Sequence, residues 1–183
     1  MERHVQEPGR LVILAAGGTG GHLFPAQALA EALIRRGYVI HLMTDERERD
    51  YGRSFPALET HLVPAATITP GKPFLVPMQV LRLYKGYRSA RDVLERLKPV
   101  ALAGFGGYPS FPPVIAASRL GIPCCIHDQN AVMGRANRAL SRFADAVASS
   151  FPALGRLPDA SKNKLVYTGN PVRSIVLLSL IHI

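Results

Sequence analysis

The stretch with the strongest chemical character is Gly17–His22, in which four glycines, a threonine and a histidine follow a buried apolar run at Leu11–Ala16. Glycine has no Cβ and lets the backbone approach a ligand closely. Helical spacing resumes after the loop, with Pro25 in the predicted first turn and Gly37 just past the predicted end. A glycine loop that joins a strand to a helix N-terminus predicts phosphate or sugar-phosphate binding, because free N–H groups and the helix dipole attract anions. His22 adds a group that titrates near neutral pH, although a lone histidine is more often structural.

Three more glycine-rich or polar clusters occur along the chain, each directly after a short apolar run. They are Gly104–Tyr108, His127–Asn130 and Thr168–Arg173, which read GFGGY, HDQN and TGNPVR. The carboxyl ends of parallel strands share one edge of a sheet, and ligands of open α/β folds bind at that edge. The four clusters are therefore predicted to converge on one rim of the sheet.

The elements that must position these clusters alternate between apolar strands and helical segments, which is typical of parallel βαβ units. A charged solvated connection is expected after the second strand, and a proline-rich loop is expected over residues 64–77. The predicted fold is α/β, a Rossmann-like parallel sheet with flanking helices. Its strands are predicted at 11–16, 38–43, 61–64, 101–103, 122–126, 146–148 and 165–167.

A long helix is predicted over Met78–Leu97, with one apolar stripe that should pack on the sheet. The stripe consists of Val80, Leu83, Tyr87, Ala90, Leu94 and Leu97. Where the preceding loop meets this helix, apolar side chains stand beside basic ones, and no acid follows until Asp92. Such a mixture suits the surface of an anionic bilayer, and a solvated basic face over a buried loop is the alternative. We call this set the basic–apolar patch; it comprises Phe74, Leu75, Met78, Arg82 and Lys85.

Composition limits the class of protein. The 183 residues are 48% hydrophobic and carry a formal net charge of +9, which predicts a globular domain with an anionic partner. Nucleic acid is the weakest candidate partner, because no aromatic-plus-basic RNA motif and no zinc spacing is present. The two cysteines, Cys124 and Cys125, are adjacent and predicted to be free thiols. The sequence shows no signal peptide and no stretch of about 20 apolar residues.

The four clusters, in this order and spacing, resemble the N-terminal domain of the MurG family of bacterial N-acetylglucosaminyltransferases. The resemblance runs from about Leu11 to Arg173. It implies the N-terminal half of a GT-B fold, in which two Rossmann-like domains face each other across a cleft. It also implies an inverting transfer of GlcNAc from UDP-GlcNAc to undecaprenyl-diphospho-MurNAc-pentapeptide (lipid I), which gives lipid II. The implied enzyme needs no cofactor and no metal, and it is peripheral on the cytoplasmic face of the bacterial inner membrane.

The resemblance also assigns roles to residues. His22 is the implied general base, which fits the need of a sugar hydroxyl for a base near neutral pKa. The residues implied to bind the donor are Thr19, Gly20, Gly21, Asn130 and Arg173. The residues implied to lie near the acceptor diphosphate are Gly18, Gly106, Gly107 and Tyr108.

The sequence departs from the family in two places. Asp128 stands where the family has glutamate, and a carboxylate one methylene shorter is left out of the predicted site. The family has a second, donor-binding domain, but this chain ends soon after Arg173. We expect residues 1–10 to be an extension, 11–176 to be the acceptor-side domain and 177–183 to be an artefactual tail, because LSLIHI equals the translation of a transposon sequencing adapter. The fragment is expected to be inactive alone.

Three alternatives remain at this stage. The chain could belong to another GT-B transferase with a different acceptor. It could be the acceptor-binding half of a split transferase that needs a separate donor-binding partner. A nucleotide-dependent oxidoreductase is the weakest alternative. Such an enzyme needs an acidic residue for the ribose at the end of the second strand, no residue there fits the usual pattern well, and Asp45 is the one obvious candidate.

Overall fold

The computed structural model describes residues 10–17, 20–45, 55–67 and 73–173. Within these residues the structure has seven strands and four α-helices. The strands are β1 Leu11–Ala15, β2 Val39–Thr44, β3 Glu59–Leu62, β4 Ala101–Gly104, β5 Cys124–Asp128, β6 Ala146–Ser149 and β7 Leu165–Tyr167. The helices are α1 Gly20–Arg35, α2 Val76–Leu97, α3 Phe111–Arg119 and α4 Arg135–Leu140.

All seven described strands pair in parallel, in the order β3-β2-β1-β4-β5-β6-β7. The predicted Rossmann-like sheet is therefore confirmed. The chain starts at β1, moves outward to β2 and β3, and then returns to the other side of β1 with β4. The order of strands reverses between β1 and β4, and such a switch point leaves a crevice where ligands of this fold class bind.

The core has one layer on each side of the sheet, because successive strand residues point to opposite faces. Ile13 of β1 packs with Leu94 of α2 and Val114 of α3 on one side. Leu14, its neighbour, packs with Leu23 of α1 on the other side. Ile13 and Leu14 are both fully buried, and truncating either to alanine would cost about 2–5 kcal/mol of stability.

Helix α1 begins earlier than its apolar pattern indicates. Gly20, Gly21 and His22 form its first turn, so only the start of the glycine motif is a connecting loop. The prediction that Pro25 lies in the first turn is therefore wrong, because the helix begins earlier and Pro25 falls in its second turn. Proline has no N–H group, so the carbonyl of Gly21 lacks its usual partner within the helix.

Helix α2 also begins earlier than predicted, at Val76, because Pro77 is compatible with the first turn of a helix. Its buried face starts only at Gly86 and continues through Ala90 and Leu94. Val80, which was expected in the packed stripe, is 50% exposed because the first half of α2 does not rest on the sheet.

Two other predictions concern strand β3 and the two cysteines. Strand β3 lies two residues earlier than the predicted 61–64, and residues 46–53 of the predicted charged connection are outside the described part of the chain. Cys124 and Cys125 are free, as predicted, and burial raises the pKa of Cys124 to about 11. A thiol with such a pKa is a poor nucleophile.

Among the described helices, none combines the length and the apolar character that a membrane span requires.

Candidate functional site

The predicted rim exists: the loops after β1, β4, β5 and β7 lie at the shared carboxyl edge of the sheet. The backbone N–H of Phe105, just past β4, donates to the carbonyl of Ala15 at the end of β1 (2.8 Å). On the far side, the N–H of Thr168 after β7 donates to the carbonyl of Ser149 at the end of β6 (3.0 Å). We call this edge, with its loops, the carboxyl rim.

The two glycine loops touch each other at the switch point between β1 and β4. Gly106 and Gly107 both have positive φ, a region that glycine adopts without strain. A methyl group on Gly106 would lie 3.1 Å from the ring of His22, and one on Gly107 would overlap the carbonyl oxygen of Gly17. The second loop therefore depends on glycine to pack against the first.

A chain of side-chain hydrogen bonds crosses the carboxyl rim through Gln129. Its Nε2 donates to the carbonyl of Phe105 (3.1 Å) and to Nδ1 of His127 (3.2 Å). Its Oε1 lies 3.2 Å from Nδ1 of His22. A carbonyl oxygen accepts but cannot donate, so the bond to Phe105 fixes which end of the Gln129 amide is the NH2 group.

This chain of hydrogen bonds determines which ring nitrogen carries the proton in each neutral imidazole. Because Oε1 of Gln129 only accepts, Nδ1 of His22 must carry a proton, which leaves Nε2 of neutral His22 as a free lone pair. At the other end, Nε2 of His127 donates to the carbonyl of Gly169 (3.1 Å). Burial lowers the pKa of His127, while the bond to Gly169 opposes that shift, so this ring stays neutral near pH 7.

Asp128 shapes the turn that carries Gln129 and Asn130. One carboxylate oxygen accepts the backbone N–H of Asn130 (3.1 Å), and the other accepts the N–H of Gly134 (2.9 Å) and Nδ2 of Asn137 (3.1 Å). The carboxylate is 2% exposed, so its oxygens are used inside the protein. The shorter aspartate thus has a positioning role, which is consistent with its omission from the predicted site.

Asn137 is a buried residue of the site that sequence reasoning missed. Its Nδ2 donates to the carbonyl of His127 (2.9 Å) as well as to Asp128, and a methyl group on Gly106 would lie 3.3 Å from it. Among the described residues, its Oδ1 finds no hydrogen-bond donor. Because the asparagine lies on a short helix far along the chain, no local motif marks it.

A small cavity of about 220 Å³ lies between the start of α1 and the loop after β7. The guanidinium of Arg173 stacks on the ring of Phe24 with 3.9 Å between its carbon and the ring centroid. A fixed cation and the N-terminus of a 16-residue helix therefore face one space, which suits an anionic group. The lining residues are Gly20, Gly21, Phe24, Pro25 and residues 170–173.

The predicted base, donor and acceptor residues that the structure describes fall into three groups. Gly20, Gly21 and Arg173 share this cavity, while His22, Gly106 and Gly107 meet at the switch point.

Asn130 is exposed at the end of β5, and Tyr108 begins a short 3-10 turn after the second glycine loop; neither lines the cavity. Gly18 and Thr19 lie outside the described residues. Phe24 and Gln129, which the sequence analysis did not select, stand beside selected residues and could have been found from their position.

The basic–apolar patch lies on the first half of α2 and the short 3-10 turn before it, and four of its five residues are exposed. Phe74 is 76% exposed and Met78 is 64% exposed, and Arg82 and Lys85 follow at helical spacing. Leu75 is half-buried. A second cavity of about 310 Å³ adjoins the patch, lined by Ala65, Ala66, Thr67, Met78, Gln79 and Arg82.

The parallel sheet and its strand order define a class: the Rossmann-like N-terminal half of a GT-B glycosyltransferase. The sequence profile of the glycosyltransferase family 28 N-terminal domain matches residues 12–149, and the chain belongs to that family. The resemblance stated from the four clusters is thereby confirmed.

Individual relatives agree with the family. The chain is 53% identical over 169 residues to the UDP-N-acetylglucosamine--N-acetylmuramyl-(pentapeptide) pyrophosphoryl-undecaprenol N-acetylglucosamine transferase of Agrobacterium fabrum, covering 91% of this chain and 44% of the relative. The protein of the same name from Rhizobium johnstonii is 52% identical over 167 residues, with the same coverage. The crystal structure of Acinetobacter baumannii MurG superposes with a TM-score of 0.72 at 32% identity, covering 90% of this chain and 46% of that one. The chain thus spans less than half the length of these relatives.

Proposed function

We propose that residues 11–176 are the acceptor-side domain of an inverting glycosyltransferase that moves GlcNAc from UDP-GlcNAc to the MurNAc of lipid I. The observation that carries the proposal is the tautomer of His22. The hydrogen bond to Gln129 holds the proton on Nδ1 and leaves Nε2 unprotonated. Such a ring, half-buried beside a glycine loop at the switch point, is ready to accept a proton.

In the proposed reaction the C4 hydroxyl of MurNAc attacks the anomeric carbon of GlcNAc. The new C–O bond forms as the bond to the UDP oxygen breaks, and the configuration at that carbon inverts. The hydroxyl proton moves to Nε2 of His22, and the bonding electrons leave with UDP. The Gln129 carbonyl then stabilises the imidazolium through its bond to Nδ1.

The cavity at the start of α1 is the proposed place of the donor's anionic or sugar groups. Gly20 and Gly21 contribute helix N-terminal N–H groups, and Arg173 contributes a charge that Phe24 holds in place. These donors can stabilise the charge on the departing diphosphate without a metal ion. By family resemblance, Thr19 and Asn130 complete the donor site.

The second glycine loop is the proposed place of the acceptor diphosphate. Gly106 and Gly107 present backbone rather than side chains toward His22, so a ligand can come close to the base there. By family resemblance, Gly18 and Tyr108 belong to the same subsite. The acceptor and the base would then meet where the two glycine loops touch.

The basic–apolar patch is the proposed membrane contact. Phe74 and Met78 are exposed apolar groups, and Arg82 and Lys85 lie on the same helix within about two turns of Met78. This combination favours insertion at an anionic surface, and it would place a lipid-linked acceptor beside the domain. The proposed location is the cytoplasmic face of the inner membrane, without a membrane span.

Vesicle binding tests the membrane contact. The double change Arg82→Glu and Lys85→Glu should weaken binding to phosphatidylglycerol vesicles at least tenfold, because each basic residue contributes about 1 kcal/mol at such a surface. The matched control is Arg35→Glu with Arg36→Glu at the far end of α1, where both residues are also exposed. Equal binding by wild type and the patch variant would refute this contact.

A transfer assay tests the reaction. The chain alone and a chimaera, in which residues 11–173 are joined to the C-terminal half of the Agrobacterium fabrum relative, are compared with labelled UDP-GlcNAc and lipid I. We expect transfer only by the chimaera, since the chain spans less than half of the relative. Transfer by the chain alone would contradict its role as one half of the site. A folded chimaera that ignores lipid I but glycosylates another acceptor would contradict the proposed substrate.

A further inference from the structure

The two strands at the β3 end of the sheet carry three potential metal ligands. They are His41 on β2 with Glu59 and His61 on β3, and we call them the edge cluster. His41 pairs in register with Glu59, and His61 lies two residues further along β3. Residues two apart on a strand share a face, so the pleat itself brings all three side chains to the same side of the sheet.

The ligand atoms of the edge cluster are nearly as far apart as the ligand atoms of a bound metal ion. Nδ1 of His41 lies 2.9 Å from Nε2 of His61 and 3.8 Å from Oε2 of Glu59. One ligand atom from each residue lies within 4.8 Å of the other two. Ligands on a tetrahedral zinc ion, with bonds of about 2.0–2.1 Å, stand about 3.3 Å apart. Shifts of a few tenths of an ångström would bring the two imidazole nitrogens to that separation.

Burial fixes the two imidazoles, and the exposed carboxylate opens the cluster to solvent. His41 is 2% exposed and His61 is 8% exposed. The Glu59 side chain is half exposed, so its carboxylate supplies both a negatively charged ligand and an entry path for an ion from solvent.

One hydrogen bond joins the two imidazoles, with a single proton between Nδ1 of His41 and Nε2 of His61. Nδ1 of His61 lies 3.5 Å from Oε1 of Glu59, so the carboxylate favours a proton on that nitrogen and leaves Nε2 of His61 as the acceptor. Nε2 of His41 is buried, and it has no partner among the described residues. A cation that binds both rings would displace the proton from Nδ1 of His41 to this free Nε2, so both rings would stay neutral.

We propose that the edge cluster binds a divalent transition-metal ion of the zinc class, with His41, Glu59 and His61 as ligands and solvent in the fourth position. Two imidazoles and one carboxylate suit zinc, nickel, cobalt or copper, whereas magnesium and calcium prefer sets made of oxygen. The ion clamps the four-residue edge strand β3 to β2. This site is separate from the proposed transfer reaction and does not depend on it.

Metal titration of the untagged 183-residue chain tests the proposal. Zn²⁺ is titrated by calorimetry, and Co²⁺ serves as a probe through its visible absorption. We expect one equivalent of either ion to bind, with a thermal midpoint that rises with the Zn²⁺ concentration because the ion binds only the folded chain. Glu59→Gln should weaken Zn²⁺ binding at least tenfold, and His61→Gln should abolish it. The control is His22→Gln, which removes an imidazole elsewhere and should bind as wild type does.

Each result is decisive. Absence of stoichiometric binding, binding that both cluster variants retain, or binding that disappears in the His22→Gln control would overturn the proposal. Circular dichroism checks the fold of every variant. If His61→Gln does not fold, Glu59→Gln decides the question alone, because the exposed Glu59 side chain can change to its amide without repacking the core.

Discussion

Two histidine clusters in this domain are built from similar parts and differ in how their protons are held. At the carboxyl rim, His22 and His127 are bridged by an amide whose orientation a backbone carbonyl fixes. In the edge cluster, His41 and His61 bond directly to each other. At the rim, a neutral amide assigns the tautomers, because its carbonyl oxygen can only accept. In the edge cluster, a charged carboxylate stands beside the imidazole pair, with Oε1 of Glu59 3.5 Å from Nδ1 of His61. The first arrangement fits the proposed proton transfer, and the second fits the proposed binding of a cation.

Removing the rim base should have the largest effect. In the chimaera, His22→Ala is expected to lower kcat about 10²–10⁴-fold, since that is the usual contribution of a general base. The control is Glu59→Gln, which alters the exposed member of the edge cluster and should leave transfer unchanged. Steady-state kinetics with lipid I measures both. If the two variants lost activity equally, the distinction between the clusters would disappear.

Removing the amide that assigns the protons should have a smaller effect. Gln129→Leu deletes the bonds to His22, His127 and Phe105, so the His22 ring is free to turn and to change tautomer. We expect kcat to fall about tenfold, a part of the full contribution of the base. The pH profile of kcat should shift as well, and this would not follow from a merely structural defect. An unchanged profile with reduced kcat would assign Gln129 to packing alone.

Stability should respond at the contact between the two glycine loops. Gly107→Ala places a methyl group against the carbonyl oxygen of Gly17 and forces alanine into a positive φ of 72°. We expect a loss of about 1–3 kcal/mol in the free energy of unfolding, measured with urea. Gly121→Ala is the control: its φ is also positive, at 69°, but no atom lies within 4 Å of the added methyl. Equal losses of unfolding free energy in the two variants would show that the positive φ, and not the contact between the loops, causes the destabilisation.

The smallest expected effect is the pH dependence contributed by His127. Burial lowers its pKa in the folded chain below the ordinary 6.5, so the unfolded chain binds the proton more readily. This contribution to stability is complete above about pH 6.5 and is lost as the pH falls through the lower folded value. His127→Gln should flatten the fall of the thermal midpoint between pH 7 and pH 5. A variant with the same slope as wild type would contradict the assignment.

The sequence predicts the sheet and the rim well because both follow from local patterns. Short apolar runs identify the strands, and parallel pairing then determines where every strand's carboxyl end must lie. Helix starts are less accurate: Gly20 and Gly21 have low helix propensity, yet the packing of Leu23 and Ala26 continues α1 back to them. The exposed Val80 shows another limit of pattern reading. An apolar stripe predicts which face of a helix is buried, but it does not predict how far along the helix that burial extends.

Contacts between distant segments could not be predicted. Asn137 joins the site through the turn after β5, and its own surroundings in the sequence carry no sign of this. The edge cluster depends on the register between β2 and β3, which no single strand specifies. A shift of one residue would turn Glu59 and His61 to the opposite face and separate them from His41.

The proline in the second turn of α1 affects the stiffness of the helix start. Without an N–H at Pro25, the carbonyl of Gly21 has lost its usual donor within the helix. The first turn, which carries two residues that line the cavity, is therefore held to the rest of α1 by one backbone hydrogen bond fewer. This turn can tilt with less strain than an uninterrupted helix would allow, so the cavity can adjust its width while the sheet beneath it stays fixed.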